Sequence, residues 1–381
     1  MTDRPIHALM NTTSIAASRS GAAIYVLSLV GALAARPQDV ALELLAQRRD
    51  LEELRRLAPG AAIRTTGVEQ RPRRLAWEHL VLPLRIRRIA PDLVHGPHYT
   101  LPDRLRPPGV VTFHDPTFFT MPEVHERSKI AYFTRMARAG IRRASRVIAV
   151  SEYARRGAIE HAGADPDRVD VTPLGVDRSR FRPPADDELT DDERERTALG
   201  VTDPYILWVG AIEPRKDVPT LVRAFASLVA EGADLRLVLA GPRAWGADEA
   251  EAAIASSGVS ERIALAGYVS ERAKVALYRG AAVFAYPSLA EGFGLPVLEA
   301  MACGTPVVTT AGSAMEEFAD GVAEFVAPAE ANALASAIRR VVEDPALARE
   351  LGRLGTARAA EYGWDRTAAA TLLSYRGALG W

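Results

Sequence analysis

The chain has 381 residues, 48% of them hydrophobic and 25% charged, which is ordinary for a globular protein and long enough for two domains. Its formal net charge of −1 conceals an asymmetry, because residues 1–185 hold 29 basic and 19 acidic side chains and the remainder holds 18 and 29. A single cysteine, Cys303, excludes an internal disulfide, and the sequence contains no zinc-site spacing or nucleic-acid-binding motif.

Short apolar runs alternate with helical patterns through the first half, which predicts a parallel sheet flanked by helices. Strands are predicted at 6–10, 40–45, 92–95, 110–113 and 146–150, and helices at 21–35, 73–90 and 126–143. The run at 40–45 would also make an acceptable helix. We predict that residues 1–180 form an N-terminal Rossmann-like domain.

The apolar run at 21–35 is too short to cross a bilayer and follows no charged leader, so we expect a cytoplasmic protein. The basic N-terminal domain leaves peripheral membrane contact open. Its residues 71–88 hold six arginines and Trp77, and this segment is either a solvated amphipathic helix or a face for an anionic acceptor or membrane.

Residues 181–204 contain a proline pair and an acidic cluster, which is typical of an interdomain linker with a short helix. A second alternating block then predicts a C-terminal domain over 205–363 and a last helix over 364–381. Its strands are predicted at 205–209, 235–240, 263–266, 282–286, 306–309 and 323–326. Its helices are predicted at 217–230, 246–257, 271–278, 295–303, 331–343 and 345–360.

Two glutamates, Glu291 and Glu299, flank a glycine turn and the start of an apolar helix. Gly294 allows the backbone to turn tightly, and the helix is predicted to begin near Leu295, since Pro296 is tolerated in a first turn. The helix N-terminus would face an anion. The spacing suggests a nucleotide diphosphate on the helix start, a sugar on one glutamate and a ribose on the other.

The stretch from residue 286 to 308, YPSLAEGFGLPVLEAMACGTPVV, resembles the signature of the retaining family 4 glycosyltransferases. The resemblance implies the GT-B fold, in which two Rossmann-like α/β domains face each other across a cleft and the last helix crosses back to the first domain. It covers nearly the whole chain and is densest from residue 205 to 308. The segments EPRK at 213–216 and HDPTFFTMPE at 114–123 look most like bacterial mannosyltransferases of surface-polysaccharide assembly.

The resemblance implies roles for side chains on both domains. Arg215 and Lys216 would stabilise a departing diphosphate without a metal, and Lys216 is one of only three lysines, with Lys129 and Lys274. Glu291 would hold hydroxyls of the donor sugar and Glu299 the ribose. On the first domain, His114 would line the reacting face.

Further predictions concern the edges of the same site. Tyr268 and Val269 follow a predicted strand and are candidate contacts of the nucleobase. Gly21 precedes the first helix, where relatives carry more glycines and this chain has Arg19 and Ser20. Histidines at 95 and 98 are either acceptor-site residues or satisfied structural histidines, the latter being the more usual case.

These observations predict a retaining, metal-independent hexosyltransferase with a nucleotide-diphosphate sugar as donor substrate, GDP-mannose first, and no cofactor. The acceptor would be a hydroxyl of a glycan, a glycolipid or a small molecule. A UDP-sugar-dependent enzyme of the same family and a catalytically silent nucleotide-sugar-binding protein are the alternatives. A sugar-nucleotide 2-epimerase fits the segment around Glu291 and Glu299 less well.

Overall fold

The computed structural model describes residues 4–16, 21–69, 71–202 and 204–381, which form two α/β units. The first unit holds the described residues up to Thr120, together with Arg127–Gly175 and Trp364–Trp381. The second holds Met121–Glu126 and Val176–Gly363. The prediction of two Rossmann-like α/β domains is confirmed.

The first unit is built on a seven-stranded parallel sheet in the order β3-β2-β1-β4-β5-β6-β7. Its strands are β1 (Ile6–Asn11), β2 (Val40–Ala46), β3 (Ala62–Thr65), β4 (Leu93–Gly96), β5 (Gly109–Phe113), β6 (Arg146–Ala149) and β7 (Val169–Val171). Its helices are α1 (Gly21–Ala34), α2 (Leu51–Leu57), α3 (Arg71–Leu80), α4 (Leu82–Ile89), α5 (Thr117–Thr120), α6 (Arg127–Arg143), α7 (Glu152–Ala162) and the last helix of the chain, α16 (Trp364–Leu379).

The segment at 40–46 is a strand, as predicted, and it is almost wholly buried between β1 and β3, where an inner strand of a parallel sheet belongs. Two other features of this unit differ from the sequence prediction. The strands β3 and β7 escaped prediction because each is short and lies at a sheet edge. The predicted helix over 73–90 is two helices, and Pro83 lies in the first turn of the second one.

A buried polar network ties four elements of the first unit together. The ring of His95 on β4 is bonded through Nδ1 to the Tyr375 hydroxyl of α16 at 2.8 Å and through Nε2 to Thr112 of β5 at 2.9 Å. The hydroxyl of Tyr25 on α1 also lies 2.9 Å from the Thr112 hydroxyl. Because an unpaired buried polar group is costly, this network determines how α1 and α16 dock on the sheet.

The second unit is built on a six-stranded parallel sheet in the order β10-β9-β8-β11-β12-β13. Its strands are β8 (Tyr205–Val209), β9 (Arg236–Ala240), β10 (Ile263–Gly267), β11 (Val283–Tyr286), β12 (Val307–Thr310) and β13 (Glu324–Val326). Its helices are α8 (Leu189–Ala198), α9 (Val218–Ala230), α10 (Asp248–Ser256), α11 (Glu271–Gly280), α12 (Leu295–Ala302), α13 (Ala314–Ala319), α14 (Ala331–Glu343) and α15 (Pro345–Ala359). The strand order in both units reverses beside the first strand, as in doubly wound nucleotide-binding folds.

The predicted linker, residues 181–204, is part of the second unit in the structure. Arg279 of α11 holds it there, because its guanidinium binds Asp192 at 3.0 Å and the carbonyl oxygen of Arg182 at 2.9 Å. Arg182 in turn makes two bonds of 2.8 Å with Glu188. The acidic cluster that suggested an interdomain linker therefore neutralises a nearly buried arginine. The second unit begins at Val176.

Within the described ranges, no helix is both long enough and apolar enough to cross a membrane.

The buried network makes a prediction about pH. Burial lowers the pKa of His95 from 6.5 to about 3, so between pH 6.5 and 3 this histidine is protonated in the unfolded chain but neutral in the folded chain. The free energy of unfolding is therefore unaffected by His95 titration above pH 6.5, and it decreases as the pH falls from 6.5 toward 3. We expect His95→Gln to reduce the slope of unfolding free energy against pH, between pH 6 and 4, by about 1.4 kcal/mol per pH unit.

Urea unfolding at several pH values measures this slope. The control is Tyr375→Phe, which removes one hydrogen bond but keeps the imidazole, and should lower the stability without changing the slope. An unchanged slope in the glutamine variant would contradict the assignment.

Candidate active site

The candidate site lies where the strand order of the second sheet reverses, between β8 and β11. These two parallel strands are direct neighbours, with Val283 paired to Ile206 and Phe284 to Leu207. The loop after β8 carries Arg215 and Lys216, and the loop after β11 carries Glu291. In open parallel sheets, such a reversal opens a crevice at the carboxyl ends of the strands where ligands bind.

The loop after β8 is held by a left-handed residue. Pro214–Lys216 form one 3-10 turn, and Asp217 then adopts φ 46°. Such a conformation costs a non-glycine residue about 1–2 kcal/mol. It also places the Asp217 carboxylate at the N-terminus of α9, where it accepts a bond from the Thr220 amide at 3.3 Å. The cap offsets the backbone strain and fixes the turn that carries both cations.

Glu291 is bound by two cations and two hydroxyl groups. Its Oε1 lies 2.5 Å from the ammonium of Lys216 and accepts bonds from Ser288 at 2.6 Å and Tyr286 at 3.1 Å. Its Oε2 lies 2.8 Å from the guanidinium of Arg215. The Lys216 ammonium also donates to the Tyr286 hydroxyl at 2.7 Å. The structure therefore brings three of the predicted catalytic side chains into direct contact.

The charges around Glu291 decide its protonation state. Burial raises its pKa, but the attraction of Arg215 and Lys216, with hydrogen bonds from Lys216 and Ser288, outweighs burial and lowers the pKa from 4.5 to about 2. The pKa of Tyr286 is raised, by burial first and then by the adjacent carboxylate. At neutral pH, Glu291 is thus an anion that accepts hydrogen bonds and cannot act as a general acid.

Gly294 and the start of α12 form the turn that the sequence predicts. Gly294 has φ 101°, and a Cβ atom at this position would lie 2.6 Å from the Cγ atom of Met315. The position therefore admits only glycine. Leu295 begins the helix and Pro296 lies in its first turn. Pro296 has no N–H and the Val297 amide donates to the carbonyl oxygen of Gly294 at 3.0 Å, so the first turn of α12 offers the Leu295 amide to an anion beside Glu291.

Glu299 lies further along α12 in a separate environment. Its Oε1 accepts a bond from the Lys274 ammonium at 3.1 Å, and its Oε2 accepts one from the Tyr278 hydroxyl at 3.1 Å. Burial raises the pKa of Glu299, and the attraction of Lys274 opposes this rise. Among the described residues, the hydrogen-bond partners of Glu299 differ from those of Glu291, which agrees with separate roles for the two glutamates.

The predicted base contacts lie two strands away from β8. Tyr268 and Val269 follow β10 at the edge of the sheet, with β9 between β10 and β8. The Tyr268 side chain is 72% exposed, and Val269 is half-buried. An exposed aromatic ring beyond a strand end offers a surface for stacking.

His114 and Gly21 belong to the first unit. The Nε2 atom of His114 donates to the carbonyl oxygen of Pro97 at 2.7 Å, and its ring packs edge-on against Tyr25 at 4.8 Å. Burial lowers the pKa of His114 to about 4 against the effect of that bond. The ring is therefore neutral at pH 7 and presents Nδ1 as a hydrogen-bond acceptor. Gly21 is exposed at the start of α1, while Arg19 and Ser20 lie outside the described residues.

The other predicted histidines have structural surroundings. His95 is fully buried and both its ring nitrogens are engaged by Tyr375 and Thr112, so the acceptor-site interpretation of this residue is wrong. His98 is half-buried and packs edge-on against Tyr99 at 4.9 Å.

The basic segment of the first unit exposes apolar side chains among its arginines. Leu80 is 73% exposed, Leu84 is 56% exposed, and Val81 lies between the two helices that carry them. Arg87 and Arg88 are exposed at the end of α4. Exposed apolar side chains that lie close together can mark a contact surface, whereas single ones are ordinary.

Four side chains of this site were missed by sequence reasoning: Tyr286, Ser288, Lys274 and Tyr278. The first two lie within the signature stretch itself, and the scarcity of lysine already distinguished Lys274. In the part of the chain that the structure describes, no group of three or more His, Cys, Asp or Glu side chains could hold a metal ion.

Comparison with known proteins gives consistent matches over most of the chain. Residues 19–180 match the family model described as Glycosyltransferase Family 4, and residues 190–358 match the model described as Glycosyl transferases group 1. O-antigen chain mannosyltransferase B of Escherichia coli is 30% identical over 309 residues, which cover 80% of this chain and 77% of the relative. A D-inositol 3-phosphate glycosyltransferase of Nocardia farcinica is 31% identical, covering 94% of this chain and 85% of the relative.

A solved structure matches the whole fold. HepE of Anabaena, in complex with UDP and glucose, aligns with a TM-score of 0.76 at 20% identity, covering 97% of this chain and 99% of that one.

The Glu291 cluster makes a prediction about stability. Glu291→Gln leaves Arg215 and Lys216 without their shared anion, and removing one partner of a buried ion pair costs about 3 kcal/mol of unfolding free energy. The native pKa of about 2 lies below the ordinary 4.5. The difference from wild type should therefore be constant above pH 4.5 and shrink as the pH falls toward 2.

Urea unfolding at pH 7, 4 and 3 measures this difference. The matched control is Glu213→Gln, because Glu213 pairs with the same arginine at 3.0 Å but is a third exposed, and its loss should cost less than about 1 kcal/mol. Equal effects of the two variants would mean that Glu291 has no special place in the cluster.

Proposed function

The chain belongs to the family 4 glycosyltransferases, as the resemblance of its sequence predicted, and we propose that it is a retaining hexosyltransferase that uses a nucleotide-diphosphate sugar. The single observation that carries this proposal is the cluster of Arg215, Lys216 and Glu291 at the strand-order reversal of the second unit. We assign donor binding to the second unit and acceptor binding to the first.

Arg215 and Lys216 would stabilise the leaving diphosphate. An ammonium has three N–H donors, and Lys216 directs two of them to Glu291 and Tyr286, so one is left for a phosphate oxygen. Arg215 adds a planar guanidinium suited to phosphate. The N-terminus of α12 at Gly294 and Leu295 would receive the same group. Since these groups supply the neutralising charge, the proposed mechanism contains no metal and no cofactor.

Glu291 would accept hydrogen bonds from the donor-sugar hydroxyls. Its low pKa keeps it anionic, so it orients the sugar and does not exchange protons with it. In the proposed retaining step, the bond between the anomeric carbon and the diphosphate oxygen breaks while the acceptor oxygen bonds to that carbon from the same face. The acceptor proton moves to an oxygen of the leaving phosphate.

The remaining predicted residues complete the proposal. His114, neutral and with Nδ1 as acceptor, would bind a hydroxyl of the transferred sugar. Glu299 would bind the ribose, while Tyr268 and Val269 would contact the base. Gly21 would let a phosphate or the acceptor approach the backbone at the start of α1.

GDP-mannose is the first donor that we propose. The similarity to a relative named as a mannosyltransferase supports it. UDP-sugars are the alternative, since HepE binds UDP and glucose. The acceptor would be a hydroxyl of a glycan, a glycolipid or a small molecule.

Turnover of a radiolabelled donor panel tests the proposal. We expect transfer, or slow hydrolysis without acceptor, from GDP-mannose and not from UDP-glucose, UDP-galactose or UDP-N-acetylglucosamine. Lys216→Ala is the matched inactive control, because loss of one charged contact to the leaving group should reduce kcat by about 100-fold or more at saturating donor. If the protein bound nucleotides but turned over no donor, the enzyme proposal would be wrong and the catalytically silent binding protein would be the remaining interpretation.

We also propose that the segment of Leu80, Val81 and Leu84 contacts an anionic lipid surface. These three apolar side chains are exposed, and Arg87 and Arg88 follow them in the sequence and are also exposed. Residues 1–185 hold more basic than acidic side chains. Apolar groups that enter the interface and cations that meet anionic headgroups are the two ingredients of peripheral membrane binding. An acceptor carried on a lipid would then be presented to the first unit.

Co-sedimentation with vesicles tests this contact. We expect binding to vesicles that contain phosphatidylglycerol and not to pure phosphatidylcholine, with weakening at high salt. Replacing Leu80, Val81 and Leu84 together by serine should lower the affinity at least about tenfold, as burial of one leucine contributes about 1.5–3 kcal/mol. Leu373→Ser, on an equally exposed leucine of α16, is the control and should bind as wild type. An unchanged affinity of the triple serine variant for phosphatidylglycerol vesicles would overturn this part of the proposal.

A further inference from the structure

Each of the two glutamates of the signature stretch is bound by one lysine and one tyrosine. Glu291 is bound by Lys216 and Tyr286, and Glu299 is bound by Lys274 and Tyr278. The chain has only three lysines among its 47 basic residues, so two of the three lie against these carboxylates. From this arrangement we infer that Lys274, with Tyr278, positions the Glu299 carboxylate for the ribose hydroxyls of the donor nucleotide.

Lys274 is nearly buried and contacts two carboxylates and an aromatic ring. It lies on α11 with 8% of its surface exposed, and its ammonium is 3.1 Å from both Glu299 and Glu271. It also lies 4.9 Å from the centre of the Phe181 ring. A lysine is rarely buried unless it is paired. The surroundings favour the ammonium form, since the carboxylates raise the pKa of Lys274 against the effect of burial.

Lys274 and Tyr278 together restrict the rotation of the Glu299 carboxylate. The lysine bonds one oxygen and the tyrosine hydroxyl bonds the other, each at 3.1 Å. Tyr278 is fully buried, so the packing around its ring restricts the movement of its hydroxyl. A carboxylate has about four acceptor positions. The two bonds described leave acceptor capacity on both oxygens, which suits the adjacent 2′ and 3′ hydroxyls of a ribose.

Lys274 also keeps Glu299 an acceptor. Burial and the charge of Glu271 favour the protonated acid, and Lys274 and Tyr278 favour the anion. The nearby Cys303 thiol is neutral, because burial raises its pKa to about 12. Without Lys274, the balance would shift toward a protonated Glu299 with less capacity to accept ribose hydroxyls.

A purely structural role is the competing explanation. In that case the Lys274–Glu299 pair would only join α11 to α12, and its loss would lower stability without altering how the protein treats ribose. The decisive quantity is therefore the ratio of affinities for a ribonucleoside diphosphate and its 2′,3′-dideoxy analogue, which a structural role would leave unchanged. The inference rests on the proposed function, since it presumes a nucleotide at this site.

Isothermal titration calorimetry of the full chain with GDP, UDP and their dideoxy analogues measures this ratio. Wild type should prefer the ribonucleotide at least about tenfold, because the ribose hydroxyls would donate hydrogen bonds to a charged carboxylate, and such bonds are stronger than neutral ones. Lys274→Met should reduce this preference to within about twofold, and Lys274→Arg should restore part of it. Arg272→Met is the matched control, since Arg272 lies on the same helix but pairs outward with Asp191 and Glu195, and its preference should equal that of wild type.

The outcomes separate the two proposals. No binding of any nucleotide by wild type would overturn the proposed function, whereas binding without ribose preference would overturn only the role of Glu299. A wild-type preference that persists in Lys274→Met would overturn the role of Lys274. If Lys274→Met does not fold, Tyr278→Phe removes one bond and keeps the buried ring, and it should lower the preference by a smaller factor. An undiminished preference in Tyr278→Phe would then contradict the inference.

Discussion

The placement of one buried anion between two cations organises the candidate site. Glu291 loses most of its hydration in the second unit, and this loss is tolerable only because Arg215, Lys216, Tyr286 and Ser288 all direct N–H or O–H groups at it. The same bonds join the loop after β8 to the loop after β11. The cations are therefore fixed at the strand-order reversal by the protein's own groups, so that the proposed diphosphate would need little reorganisation of them to bind.

The second carboxylate, Glu299, is also buried and bound by a cation and a hydroxyl group, but it has fewer partners. Glu299 has one lysine and one tyrosine, against two cations and two hydroxyls for Glu291, and the difference appears in the directions of their pKa values: lowered for Glu291 and raised for Glu299. A carboxylate paired with two cations stays ionised, which fits the proposed role of Glu291 as an acceptor of sugar hydroxyls beside a diphosphate. A carboxylate with fewer partners suits the neutral hydroxyls of a ribose. The backbone geometry of Gly294 starts the helix that separates the two.

In the first unit, burial rather than pairing determines the chemistry. His95 and His114 both have lowered pKa values because they are shielded from water, but only His114 keeps a ring nitrogen that is not engaged by the bonds described. His95 instead joins α1, α16 and the sheet through Thr112. The last helix of the chain therefore belongs to the first unit through a hydrogen bond that spans 280 positions of sequence.

The sequence by itself determined the local features, which are the inner strands, most helices and the turn at Gly294, because periodicity, glycine and proline act over a few residues. The GT-B fold and the family followed from the resemblance of its motifs, and two separate motifs pointed to Arg215, Lys216 and Glu291. Only the tertiary structure decided which groups bind which. Lys216 and Glu291 are 75 positions apart and Lys274 and Glu299 are 25 apart, and no local pattern encodes such pairs. The short edge strands β3 and β7, the folded segment at 181–204 and the structural role of His95 depend on the same long-range packing. The last two were decided by the cost of leaving buried polar groups unpaired.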